Sequence, residues 1–306
     1  MEHENRERIL IGLIGAGIGG SLSPAMHERE GRLQGLKYYY QRVDLKELGL
    51  ATDALPELVT AAERMGFSGL NITHPCKQKV VDCLDELSAE ARAIGSVNTV
   101  HFKHGKRIGH NTDGPAFIKS FGEELSDCAR RSIVLLGAGG AGVAIAHMLL
   151  RTADTHLIVH DVEQDRMRSL VERLALLYGS HRVRAMGNVQ DAIAAADGII
   201  NATPQGMVES PESPVPDRLL GPSLWVADIV YFPLETRLIA AARSAGCRVM
   251  DGGGMAVYQA AGAFEIFTGI VPDAARMRQH FRDLIAGKSS HQAEQALGKH
   301  PLQVHN

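Results

Sequence analysis

The sequence predicts an α/β protein of two domains, a mostly parallel N-terminal domain and a doubly wound second one. Three observations predict it. Apolar strand-like runs alternate with helically spaced apolar residues along most of the chain, the pattern that places helices over a parallel sheet. The length of 306 residues exceeds one typical domain and suits two. A strand, a glycine loop and an uninterrupted apolar helix follow one another from Ser132 to Leu150, as they do where a nucleotide-binding fold begins.

In the first domain, Ile9 to Gly15 reads as a buried strand and Tyr38 to Val43 as a second. Glu57 to Met65 carries helical spacing, and Gly66 to Thr73 reads as strand with glycine punctuation. Lys77 to Leu87 sets Val80, Val81, Leu84 and Leu87 on one helical face, and Ser96 to Phe102 is a short strand. In the second domain, strands are expected at Ile133–Leu136, His156–His160, Gly198–Asn201, Trp225–Val230 and Arg248–Asp251. Helices are expected at Gly142–Arg151 and Arg166–Leu177. The boundary falls between Pro115 and Ser132, giving a first domain over 1–114 and a dinucleotide domain over 115–254. Two final helices, Met255–Thr268 and Pro272–Leu284, follow the last strand. Residues 287–306 are polar and without periodicity, which predicts a loosely ordered tail.

Composition narrows the function. At 45% hydrophobic and 22% charged residues, the chain has material for an ordinary core. A net charge of −3 offers no field for nucleic acid or an anionic membrane, so a small-molecule partner is expected. Cys76, Cys83, Cys128 and Cys247 form no CxxC pair and read as free thiols. The fourteen histidines include no HExxH, and no metal site is expected. The charged start MEHENRER and the lack of a long apolar run predict a cytoplasmic protein.

GxGxxG occurs twice, at Gly15, Gly17 and Gly20 and again at Gly137, Gly139 and Gly142, with Asp44 and Asp161 as the acids downstream. The second is followed by VAIAHMLL, a helix whose N-terminal amides and dipole suit a pyrophosphate. Gly139 permits close backbone approach, Gly142 permits helix–strand packing, and Asp161 stands where a carboxylate accepts from ribose hydroxyls. An acid there repels a 2′-phosphate, which favours NAD over NADP, although Arg166 and Arg168 lie near in sequence. The first loop runs into Ser21-Leu22-Ser23-Pro24 and reads as a turn aimed at a polar ligand.

Polar stretches recur at strand ends: Ser21–Pro24, Asn71–Lys77, Ser96–Thr99 and Gly109–Gly114. Singly, each has an ordinary explanation. Ser21 and Ser23 could cap a helix, Lys77 could be solvated, and Asn111–Gly114 could be a turn. Together, beside a dinucleotide fold, they suggest one ligand crevice.

With SLSPAMH, NITHPCKQ, AIGSVNT, GHNTDG, GAGGAG, INATPQGM, DIVYFPLET and GGGMAVYQAAGAFEIFTG in this order, the chain resembles the shikimate dehydrogenases from about Ile9 to Leu284, and within them the quinate/shikimate branch. The resemblance implies that Ser21 and Ser23 hold a substrate carboxylate, with Tyr231 near it. It implies that Lys77 and Asp113 are the catalytic pair. It places Thr73, Asn98 and Gln259 at ring hydroxyls. Gly137, Ala138, Gly139, Gly140, Ala141, Gly142, Asp161, Thr203 and Met255 would line the cofactor. The final helices, about 255–286, would complete the substrate domain. Oxidising a secondary alcohol needs a hydride acceptor and a group for the hydroxyl proton, and a lysine oriented by an aspartate suits the second task. His160-Asp161-Val162 stands where NADP-using relatives carry an Asn-Arg-Thr type stretch, and Ser23 stands where the branch can carry a threonine that goes with quinate use. The expectation is therefore NAD-dependent oxidation of shikimate, with quinate as a further substrate, in aromatic amino acid biosynthesis or quinate catabolism, by a monomer or homodimer. Two other readings are a paralogue acting on an amino-shikimate and a nucleotide-binding regulator without catalysis. The intact Lys77 and Asp113 argue against the second.

Overall fold

The computed structural model describes residues 8–194 and 196–297. Two six-stranded sheets carry the chain. The first contains β1 (Arg8–Gly15), β2 (Lys37–Asp44), β3 (Gly69–Ile72), β4 (Glu86–Leu87), β5 (Thr99–Lys103) and β6 (Lys106–His110) in the order β2-β1-β3-β5-β6-β4. Its helices are α1 (Ser23–Leu33), α2 (Leu55–Arg64) and α3 (Ala89–Ile94). Pairings β1–β2, β1–β3 and β4–β6 are parallel, whereas β5 is antiparallel to both β3 and β6. The β5–β6 hairpin was not legible as two strands. It turns through His104 and Gly105, both at positive φ, the backbone that a tight hairpin requires at its two central residues.

The expected helix at Lys77–Leu87 is replaced by one short 3-10 stretch, Lys79–Cys83, and strand β4. Val80 is buried as the helical pattern demands. The chain then leaves the helical path because the Asp85 N–H bonds to the Arg107 carbonyl and β4 pairs with β6. Sheet pairing overrides a four-residue apolar periodicity.

Helix α4 (Asp113–Glu124) leads to the second sheet, so the stretch after Pro115 is helical before it reaches β7. That sheet is built from β7 (Ser132–Leu136), β8 (His156–His160), β9 (Val183–Ala185), β10 (Gly198–Asn201), β11 (Trp225–Asp228) and β12 (Arg248–Met250). Helices α5 (Gly140–Thr152), α6 (Gln164–Tyr178), α7 (Val189–Ile193) and α8 (Arg237–Ser244) connect them. The order β9-β8-β7-β10-β11-β12 is parallel throughout. It reverses direction between β7 and β10, the switch point at which such sheets bind dinucleotides.

The last helices, α9 (Gly253–Thr268) and α10 (Ala274–Leu297), return to the first sheet. Phe264 and Phe267 pack with Ile9, Ile11 and Tyr38, and Met277 and Phe281 pack with Leu22 and Met26. Buried Glu30 on α1 takes both Nε and Nη2 of Arg276, which fastens α10. The helix runs on to Leu297, into a stretch where the sequence showed no periodicity. Residues 1–7 and 298–306, with the remainder of the expected tail, lie outside the described residues. Among the described residues no helix is long and apolar enough to cross a membrane.

Candidate active site

The carboxyl ends of the two sheets face each other. Lys77 follows β3, Asp113 opens α4 just beyond β6, and Gly140 opens α5 just beyond β7. Lys77 Nζ lies 2.5 Å from Asp113 Oδ2, and both side chains are largely buried, 15% and 5% exposed. Asp113 is held from behind. Its Oδ1 accepts from Asn98 Nδ2 at 3.0 Å, and its own N–H bonds Asn111 Oδ1 at 3.0 Å. Asn98 Oδ1 accepts the Thr112 N–H and the Thr99 hydroxyl, so its amide has one orientation, with the NH2 towards the carboxylate.

Beneath this lies a buried layer whose roles were not read from the sequence. The Tyr40 hydroxyl donates to Asn71 Oδ1 at 2.8 Å, and Asn71 Nδ2 donates to the Asn98 carbonyl and Thr99 Oγ1. Asn111 Nδ2 donates to the Ser96 carbonyl. Asn71, Ser96 and Asn111 sit within motifs visible in the sequence, but only the fold shows that they support Asn98 and Asp113.

Ser21 and Ser23 do not cap α1. Its N-cap is Leu22 with no side-chain bond, Ser23 and Pro24 begin the helix, and Ser21 Oγ accepts the Ser23 N–H at 3.3 Å. Tyr231, in the loop after β11, lies beside Ser21, so these two expected residues meet. Thr73 is half-buried and anchored by its N–H to the Ile14 carbonyl. Gln259 on α9 accepts the Thr112 hydroxyl on its backbone carbonyl at 3.0 Å, while its side-chain amide bonds Ala256. It therefore stands beside the Asn98–Asp113 cluster. Met255 is packed in the core cluster that contains Ala138 and Ile94.

The two glycine loops differ in what their acids bind. In the first, Asp44 spends its oxygens on the loop itself, accepting from the Gly17, Ile18 and Lys46 amides. Burial opposes its charge, but the Gly17, Ile18, Lys46 and Glu47 amides outweigh that and hold the carboxyl below its ordinary range. In the second, Gly137 has φ +99°, and a Cβ on Gly142 would lie 2.0 Å from the Gly137 carbonyl, so helix and strand meet only without one. Helix α5 begins with no side-chain cap. Its first-turn amides have no partner further up the helix and suit a phosphate. The uncapped start and the glycine cradle fit a dinucleotide. Asp161 Oδ2 accepts the Ala138 N–H at 2.7 Å and Oδ1 the Glu163 N–H at 2.8 Å, with Arg166 Nη1 3.8 Å away. Acid and arginine thus share the corner where the cofactor's ribose is expected. Thr203 is held by Asn201, which accepts both its N–H and its hydroxyl.

The two halves come together at the start of α5. A Cβ on Gly140 would lie 2.9 Å from Lys77 Cβ and 3.0 Å from Ser96 Oγ. The stem of the lysine rests on the start of the dinucleotide helix. A buried lysine–aspartate pair pressed against a Rossmann glycine loop points to a class, the nicotinamide-dependent oxidoreductases. Residues 13–100 match the model of the shikimate dehydrogenase substrate binding domain, and residues 252–280 that of the shikimate 5'-dehydrogenase C-terminal domain. The chain is 48% identical over 281 residues to the shikimate dehydrogenase (NADP(+)) of Streptomyces avermitilis, covering 91% of this chain and 97% of that one. It is 44% identical over 284 residues to the quinate/shikimate dehydrogenase (NAD(+)) of Corynebacterium efficiens, covering 92% and 100%. The solved quinate dehydrogenase of Corynebacterium glutamicum in complex with NAD superposes with a TM-score of 0.82 at 42% identity, covering 90% and 99%. The chain belongs to the shikimate dehydrogenase family.

Proposed function

We propose that the protein oxidises the ring hydroxyl of shikimate to the 3-dehydro compound with NAD, reversibly and in the cytoplasm, with quinate as a further substrate. The observation that carries the reading is the buried Lys77–Asp113 contact of 2.5 Å, set against Gly140 of the dinucleotide loop. Bound NAD supplies the hydride acceptor for the ring carbon. Lys77, as the neutral amine, takes the hydroxyl proton on Nζ and becomes the ammonium, which Asp113 Oδ2 holds in place. Asn98 keeps Asp113 from turning away, because its NH2 reaches Oδ1. Ser21 and Ser23 bind the substrate carboxylate, with Tyr231 beside Ser21. Thr73, Asn98 and Gln259 take ring hydroxyls. Orientation of this kind is a large part of the work in hydride transfer.

The preference for NAD rests on Asp161, whose carboxylate suits a ribose diol and repels a 2′-phosphate. Arg166, 3.8 Å from Asp161, favours a second reading in which NADP is also used. The NADP-named Streptomyces relative supports the same alternative.

Lys77→Ala tests the roles. Turnover should fall by about 10²–10⁴-fold, the range for removing a proton-transfer group, while cofactor affinity by calorimetry stays near wild type. Turnover that survives the substitution assigns the proton to another group.

A further inference from the structure

At the carboxyl end of the second sheet, Asn201 and Asp228 stand opposite each other in register on β10 and β11, both fully buried. Asp228 Oδ1 accepts from Asn201 Nδ2 at 2.9 Å and from the Val230 N–H at 3.0 Å. Its Oδ2 accepts the Thr236 hydroxyl at 2.7 Å, and Thr236 in turn caps α8 through the Ile239 N–H. A carboxylate only accepts, so Asn201 must turn its NH2 towards Asp228. That leaves Asn201 Oδ1 facing Thr203, where it accepts the N–H at 3.0 Å and the hydroxyl at 2.7 Å. The second hydrogen of the amide bonds the Gln205 carbonyl. One carboxylate therefore fixes three segments: the 203–205 loop, the chain entering Tyr231, and the start of α8.

A helix cap does not need a buried charge. Burial pushes the Asp228 carboxyl up to about 6, and Asp251 pushes the same way, against the bonds from Val230, Thr236 and Asn201. A neutral asparagine would avoid that burial cost and could still accept from Val230. It would also let the Asn201 amide flip. What the charge adds is a single orientation of Asn201.

We propose that Asp228 is a positioning residue that holds the cofactor-side Thr203 and the substrate-side Tyr231 in one register, so that both binding sites depend on it. The inference rests on the reading of Thr203 and Tyr231 given above. Asp228 is fully buried and acts through Asn201 and the Val230 N–H.

The test uses the full-length enzyme and three variants, with cofactor Kd measured by calorimetry without substrate, shikimate KM and kcat from steady-state rates, and thermal melting. Asp228→Asn is expected to raise cofactor Kd and shikimate KM together, each on the order of tenfold, as befits a lost charge-assisted hydrogen bond. kcat at saturation should change less. Thr236→Val loses the cap and the third arm but leaves Asn201 and Val230 bonded, and should lower the melting temperature with both constants within about twofold. Asn201→Ser removes the amide that joins Asp228 to Thr203 and the Gln205 carbonyl but leaves the Val230 and Thr236 bonds to Asp228, and should raise cofactor Kd alone. It also keeps the question open to experiment if Asp228→Asn does not fold. The proposal is overturned if Asp228→Asn lowers only the melting temperature, if it moves one constant and not the other, if Thr236→Val moves both constants as far, or if Asn201→Ser leaves cofactor Kd unchanged. A wild-type enzyme without turnover on shikimate would instead sink the functional reading, while cofactor Kd in the variants would still test the network.

Discussion

Gly140→Ala probes the place where the dinucleotide loop meets Lys77, the proposed proton acceptor. An added Cβ would lie 2.9 Å from Lys77 Cβ, 3.1 Å from Lys77 Cδ and 3.0 Å from Ser96 Oγ. Carbon–carbon contacts settle at about 3.5–4.0 Å, so something must give by roughly 0.7 Å. Ser96 is fully buried, and the Lys77 carbonyl is held by the Val97 N–H at 2.8 Å. The freest adjustment is therefore of the lysine side chain, away from Asp113. Overpacking costs about 1–3 kcal/mol, and alanine in place of glycine in a helix returns up to about 1 kcal/mol, so the fold survives. A displacement of about 1 Å at a reacting group costs on the order of 10²-fold in rate. The expected result is kcat down by roughly 30–100-fold with cofactor Kd within a few-fold. Gly139→Ala supplies the opposite split. Its Cβ meets nothing within 4 Å, so Lys77 is undisturbed, but the close approach of a pyrophosphate is blocked and the cofactor KM rises. Steady-state kinetics and cofactor calorimetry on both variants decide. A Gly140→Ala enzyme with wild-type kcat would refute the reasoning, since Lys77 would then not depend on this contact.

His27 is fully buried, bonded only through Nδ1 to the Tyr38 hydroxyl, and burial lowers its pKa from 6.5 to about 3. The unfolded chain therefore binds the proton first, and stability falls as pH drops below 6.5, by about 2 kcal/mol between about pH 7.5 and pH 5. Denaturant titrations at the two pH values should show that loss in the wild type and a smaller one in His27→Gln; equal slopes would exclude His27 as the source. Arg166→Ala should raise the KM for NADP more than that for NAD, since its guanidinium is the cation beside Asp161; an equal rise in both would remove it from cofactor choice.

Five strands of the second sheet were legible because they are short apolar runs, Ile133–Leu136 and Gly198–Asn201 among them, and because the loop after Leu136 is followed by a helix without proline; β9 (Val183–Ala185), three residues of which one is buried, was not read. The first sheet was harder. Its β5–β6 hairpin depends on positive φ at His104 and Gly105, which Lys-His-Gly-Lys hardly advertises. Lys77–Leu87 carried a real apolar period, but β4 pairing with β6 consumed it. Asp44 matched the spacing of a ribose-binding acid and turned out to tie its own loop. The polar motifs named Lys77, Asp113 and Asn98 in advance, and the fold brought them together. The Gly140–Lys77 contact and the Asn201–Asp228 pair could not be read, because each joins segments far apart in the chain through packing that no local pattern encodes.

In the proposed reaction the Lys77–Asp113 pair and the loop at Gly137–Gly142 serve one hydride transfer from shikimate. The most direct measurement mixes the protein with shikimate or quinate, each with NAD or NADP, and follows the nicotinamide absorbance. Reduction is expected to be fastest with shikimate and NAD. Faster reduction with NADP would overturn the argument from Asp161, and no reduction in any of the four mixtures would contradict the assigned reaction.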